Sequence, residues 1–224
     1  EMLKVSASKN NLEKDGKPFF YLADTCWSAF TNINESDWIY YLEKRKMQGF
    51  NVLQINILPQ WDASPTMLCH EPFEQVNGCW DYSKIKDEYF EHAKKMCETA
   101  KEYGFELALV VLWCNFVPDT WASRFYEKGI MPKEAIASYI EKVHETFTEF
   151  DPIYVISGDT DFNTSLCQSY YIEAFERLKE KASECLFTTH IKGRYTMIPK
   201  SLEKGLDFLM HQSGHNHNDL SMPY

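Results

Sequence analysis

Residues 106–113 read Glu-Leu-Ala-Leu-Val-Val-Leu-Trp, an unbroken apolar run after its first residue. A strand that alternates polar and apolar side chains buries one face; a strand apolar at every position is buried on both. Burial on both faces marks a parallel sheet whose strands are joined by helices. The flanks agree. Upstream, Tyr89, Phe90, Ala93, Met96, Cys97, Ala100 and Tyr103 fall on one face at helical spacing, and Gly104 stops the helix. Downstream, Pro132 opens a helix with Ile136, Tyr139, Ile140, Val143 and Phe147 on its apolar face.

The rest of the chain continues this alternation. Residues 3–20 predict a β-hairpin turning at Asp15-Gly16. A buried strand at 19–23 leads into Asp24-Thr25-Cys26-Trp27, and a helix at 35–48 has Asn34 as N-cap and Gly49 at its end. Strand 51–58 interleaves Gln54 and Asn56 with apolar residues. A long loop, 59–83, carries Trp61, Asp62, His70, Glu71 and Trp80, a length typical of functional loops or lids. Strand 152–157 runs into Gly158-Asp159-Thr160-Asp161. Then come helix 165–181, strand 186–190, a short helix at 200–204 and strand 207–212, which opens into Ser213-Gly214-His215-Asn216-His217.

Such alternation closes either as an open doubly wound sheet or as a barrel. No GxGxxG or Walker pattern follows any strand, so neither a nucleotide nor another cofactor is expected. Polar and aromatic residues gather instead at the strand C-terminal ends, which converge on one pocket in a (β/α)₈ barrel. The expected fold is therefore α/β, a (β/α)₈ TIM barrel of the glycosidase type with an N-terminal β-hairpin. It is incomplete, with six of eight β/α units. Residues 1–18 form the hairpin packing on the barrel, and 19–224 form units one to six. A full barrel takes about 250 residues. The shortfall in 224 residues falls where units seven and eight are expected.

Charge narrows the partners. Asp and Glu total 33 against 23 Lys and Arg, a formal net charge of −10. That disfavours nucleic acid and an anionic membrane surface, and leaves a neutral ligand open. Seven irregularly spaced cysteines without a CxxC argue against a zinc ribbon or a disulfide framework. They favour a reducing, cytoplasmic compartment. No signal peptide and no membrane-spanning run is visible, although Glu1 ahead of Met2 leaves a trimmed leader and secretion open.

Trp, Asn, Gln, His and Asp converging on a pocket is the inventory of a sugar site. Indoles stack on the apolar face of a sugar ring, while amides, imidazoles and carboxylates fix its hydroxyls. The candidate binding residues are Asp24, Trp27, Gln54, Asn56, Trp113, Asp161, His190, Arg194, Gln212 and His215. Glycoside hydrolysis needs two carboxyl groups, one of them a general acid. Asp159 is the best candidate, because it follows a buried strand and a glycine that lets the chain turn inward. Its plainer reading is a helix cap or a loop anchor. Asp24 reads as a hydroxyl acceptor or structural anchor, and Asp161 competes with Asp159. His211, His215, His217 and Asp219 raise a metal-dependent hydrolase as a rival, but no HExxH or HxH accompanies them, and no metal site is assigned. A barrel that binds carbohydrate without cutting it is the other alternative.

Five segments taken together resemble the apiosidase-like glycoside hydrolases of family 140. They are Asp15-Gly16-Lys17-Pro18-Phe19-Phe20-Tyr21-Leu22-Ala23-Asp24-Thr25-Cys26-Trp27, Gln48-Gly49-Phe50-Asn51-Val52-Leu53-Gln54, Ile156-Ser157-Gly158-Asp159, Thr189-His190-Ile191-Lys192-Gly193-Arg194, and Gln212-Ser213-Gly214-His215-Asn216. The resemblance implies a (β/α)₈ barrel that cleaves a terminal sugar, apiose from plant pectin in characterised relatives. It also implies Asp159 as the acid/base. The family's second carboxylate, a Glu in a Gly-Glu-Pro-like segment on strand seven, has no match here: the last Glu is Glu203. That group is expected beyond Tyr224.

Overall fold

In the computed structural model, residues 2–61, 70–126 and 128–214 are described. The chain opens with three short antiparallel strands, β1 (Lys4–Val5), β2 (Leu12–Lys14) and β3 (Lys17–Phe19), in that order across the sheet. Asp15 (φ 53°) and Gly16 (φ 71°) supply the two left-handed residues of a tight hairpin turn. The expected hairpin thus forms and gains a third strand.

The first strand of the main sheet, β4 (Ala23–Thr25), starts later than the expected 19–23. Phe19 belongs to β3, Phe20 is exposed, and the Leu22 N–H donates to the Phe20 carbonyl at 3.0 Å. That i to i+2 contact marks the sharp bend by which the chain leaves one sheet and enters the next.

Two helices follow, α1 (Ala29–Asn32) and α2 (Glu35–Met47). Asn34 caps α2 by accepting the Asp37 N–H, and Gly49 ends it at φ 88°. After β5 (Val52–Asn56), the expected loop 59–83 turns out to contain a hairpin, β6 (Phe73–Val76) and β7 (Cys79–Ile85). Its turn is Asn77-Gly78, both at positive φ, the dipeptide most favoured there. Then come α3 (Asp87–Glu102), β8 (Glu106–Trp113), α4 (Ile136–Phe147), β9 (Ile153–Gly158), α5 (Ser165–Lys181), β10 (Leu186–Thr188) and α6 (Lys200–Glu203). Every residue of β8 is buried, as its composition requires.

The main sheet has five parallel strands in the order β10-β9-β8-β5-β4, the wall of an incomplete (β/α)₈ barrel. Register sorts the side chains. Thr25, Gln54 and Ala108 share one face, with Asn56, Val110, Val155 and Thr188 in the layers above. These small and polar residues line the inner side. Leu109, Tyr154 and Phe187 share the other face, where Phe175 of α5 meets Phe187 edge-on at 5.5 Å. On the same side the Tyr139 hydroxyl of α4 donates to the Val111 carbonyl at 2.6 Å.

The sixth expected strand, 207–212, is not a regular strand. It runs beside β10 with one parallel bridge, His190 to Met210. The Asp207 carboxylate accepts the Phe187 N–H at 2.7 Å, and the Thr188 hydroxyl donates to the Phe208 carbonyl at 2.8 Å. Side chains thus take up hydrogen bonds that a ladder would otherwise make.

The N-terminal sheet is tied to the lower end of this wall. Glu106, 4% exposed at the start of β8, receives Lys14 from β2 and Lys101 from α3. Burial alone would raise its carboxyl, but the two lysine hydrogen bonds outweigh it and hold Glu106 below its ordinary range. No helix among the described residues is long and apolar enough to cross a membrane.

Candidate active site

The upper ends of β4, β8, β9 and β10 open onto a cleft of about 990 Å³. Its floor is aromatic. The Trp27 and Trp113 rings lie 5.1 Å apart, and His190 packs against both, edge-on to Trp27 at 5.6 Å and stacked with Trp113 at 5.5 Å. Trp113 lies flat on the backbone of β9 because residue 158 is glycine: a Cβ there would sit 2.1 Å from the Trp113 ring. The indole N–H of Trp113 finds no partner among the described residues. A second aromatic pair, Trp61 and Trp121, meets edge-on at 5.6 Å on another wall.

Asp159 stands at the end of β9, half-buried, with φ 54°. Its N–H donates to Nδ1 of His190 at 3.0 Å, and its carbonyl accepts the Trp121 indole N–H at 2.8 Å. The Gln212 amide donates both to Oδ1 of Asp159 and to the Ile191 carbonyl. Gln212 is itself held by a close backbone approach: the Arg194 N–H donates to its carbonyl at 2.9 Å, and Gly193 packs on Gly214 where a Cβ would meet Cα at 2.8 Å. Among the described residues Asp159 is the only carboxylate lining the cleft, alongside the cations Arg124, Lys192 and Arg194.

Residues 6–223 match the family model of the apiosidase-like catalytic domain. The chain belongs to that family. Two solved structures share the fold at 24% identity and a TM-score of 0.75, one titled a glycoside hydrolase and the other a family 5 glycoside hydrolase from Bacteroides vulgatus. Each aligns over 96% of this chain, which spans 46% and 45% of theirs. A family 5 mannosidase from Rhizomucor miehei aligns over 95% of the chain and 60% of its own, with 12% identity and a TM-score of 0.61. No curated protein matches the chain. The apiosidase-like chain therefore covers about half the length of the first two structures.

In this apiosidase-like barrel wall, six residues singled out from the sequence meet in the cleft: Trp27, Trp113, Asp159, His190, Arg194 and Gln212. Others lie elsewhere. Asp24 pairs in register with Leu53, on the helix-facing side, where its carboxylate accepts the Tyr41 hydroxyl at 2.6 Å and pairs with Arg45. Gln54 and Asn56 sit on the inner face below the cleft. Both amide atoms of Asn56, 1% exposed, lack partners among the described residues. Asp161 is 2% exposed, accepting from Asn163 at 2.7 Å and lying 3.9 Å from Lys192 Nζ. His215 falls outside the described residues, as do His217 and Asp219.

The cleft also takes side chains outside the candidate set, among them Trp61, Trp121, Arg124 and Lys192. Trp121 and Arg124 come from the connection between β8 and α4. A Trp and an Arg in a loop at a barrel's C-terminal face are a usable signal. Their distance from the strand end hid it.

Burial pushes His190 down from 6.5 to about 4. His92, stacked on His70 at 3.8 Å, is also lowered to about 4, chiefly by burial and then by His70 and Lys95. For both, the fold favours the neutral ring while the unfolded chain protonates near 6.5. Their contribution is intact above pH 6.5 and is lost as pH falls towards 4. For His190 the loss is up to about 3 kcal/mol. Urea unfolding at pH 7, 5.5 and 4 checks this: His190→Asn should flatten the pH dependence relative to native, and an unchanged slope refutes it.

Proposed function

We propose that this protein is a glycosidase that removes a terminal sugar, apiose-like or related, from plant-type glycans, with Asp159 as the acid/base of a two-carboxylate mechanism. The observation that carries this reading is one carboxylate, single among the described residues, sharing a cleft with packed indoles. Trp27 and Trp113 offer the apolar platform for a sugar ring, and His190 and Gln212 offer hydroxyl partners. Gln212 donates to Oδ1 of Asp159 and so helps hold the carboxyl in the cleft, where it can deliver a proton to the leaving oxygen. Arg124, Lys192 and Arg194 suit an acidic sugar next to the cleaved bond. The second carboxylate comes from outside the described residues.

One observation favours a second reading. With a single cleft carboxylate among the described residues, a barrel that binds an acidic glycan without cutting it fits the same walls. Digestion of pectic and other plant polysaccharides, with product analysis, separates the two. Release of a terminal monosaccharide is the expected result. Tryptophan quenching by the same glycans without any product favours the binding module.

A further inference from the structure

The mechanism just proposed uses the side chain of Asp159; the geometry around its backbone has its own consequence. Asp159 adopts a left-handed conformation, one that Asp tolerates better than most residues with a Cβ and that hydrogen bonds to its peptide groups can hold. Two cleft side chains bracket its peptide groups, His190 on the N–H and Trp121 on the C=O. We propose that His190 and Trp121 are positioning residues that set the direction of the Asp159 carboxyl through its backbone. The inference rests on Asp159 being the acid.

His190 is built for such a task. Its N–H donates to the Ser157 carbonyl at 3.1 Å, and the Ser157 hydroxyl donates back to the His190 carbonyl at 3.2 Å. Trp27 and Trp113 fix the plane of its ring. A backbone N–H only donates, so Nδ1 of His190 must hold a lone pair. The neutral ring then carries its proton on Nε2, which is left to donate to a ligand hydroxyl. One imidazole thus aims the acid through Nδ1 and offers a donor through Nε2.

The two roles separate by substitution. In His190→Asn the amide oxygen takes the place of Nδ1, whereas His190→Leu has no acceptor. Trp121→Phe keeps an aromatic ring, smaller than the indole, and deletes the N–H. On an apiose-bearing pectic polysaccharide, His190→Leu should lose about 10²-fold in kcat, the scale of a misplaced catalytic group. His190→Asn should regain most of that kcat with a raised KM. Trp121→Phe should lower kcat with KM little changed. Equal kcat for the Asn and Leu variants, or native kcat in Trp121→Phe, overturns the proposal.

A readout on the native chain needs no substrate. Nitrogen-15 NMR should show His190 protonated at Nε2, with a through-hydrogen-bond coupling between the Asp159 amide nitrogen and Nδ1. Protonation at Nδ1 overturns the clamp even if the enzyme is active. If the coupling is present but Asp159→Asn retains full activity, the acid assignment fails instead.

Discussion

Asp159→Asn should lower turnover by about 10²–10⁴-fold, the usual cost of removing a general acid, without disturbing the fold. The substitution is close to isosteric. Its backbone anchors, the N–H on His190 and the C=O on Trp121, survive it. An amide oxygen at the Oδ1 position still accepts from Gln212. The acid proton is lost. Substrate binding, followed by tryptophan fluorescence, should therefore stay close to native. The loss should be severe for glycosides with poor leaving groups and small for aryl glycosides whose leaving oxygen needs no proton. Near-native turnover on poor leaving groups would remove Asp159 from the acid's role.

Gly158→Ala should cost stability and cleft shape together. The added Cβ would lie 2.1, 2.5 and 2.9 Å from three atoms of the Trp113 ring. That ring is 5% exposed and wedged between Trp27 and His190, so it cannot swing aside without moving both. Overpacking of this kind costs about 1–3 kcal/mol, visible as a lower urea midpoint, and sugar affinity should fall with it. The cause can be isolated with a double-mutant cycle. In a Trp113→Ala background the ring is gone, and Gly158→Ala should then be nearly neutral. An equal cost in both backgrounds would place the strain in the backbone of β9 and not in the indole.

These two positions differ in how visible they are from the sequence. Asp159 was legible because it follows a buried run and a glycine. The use of Gly158 was not, since it depends on Trp113 arriving from the neighbouring strand. The same division runs through the fold. Helix α2 was read to within a residue from Asn34 and Gly49, and α5 was read in full. Strand 207–212 was read as regular, yet Asp207 and Thr188 divert its hydrogen bonds. The Asn77-Gly78 turn signal is local, yet the hairpin it makes lies inside what reads as a long loop.

The chain's own residues determined the order of its elements, the parallel sheet around residues 106–113 and the strand-end position of its candidate acid. Those follow from periodicity, turn sterics and burial, which act over a few neighbouring residues. Only the tertiary structure decided which strand-end side chains share the cleft. Asp24 turns to Tyr41 and Arg45 because pairing with Leu53 sets its face. Trp121 reaches Asp159, 38 residues further along the chain, because the connection between β8 and α4 brings it to the end of β9. Register and loop path arise from contacts between distant segments, and neither is written in any one of them.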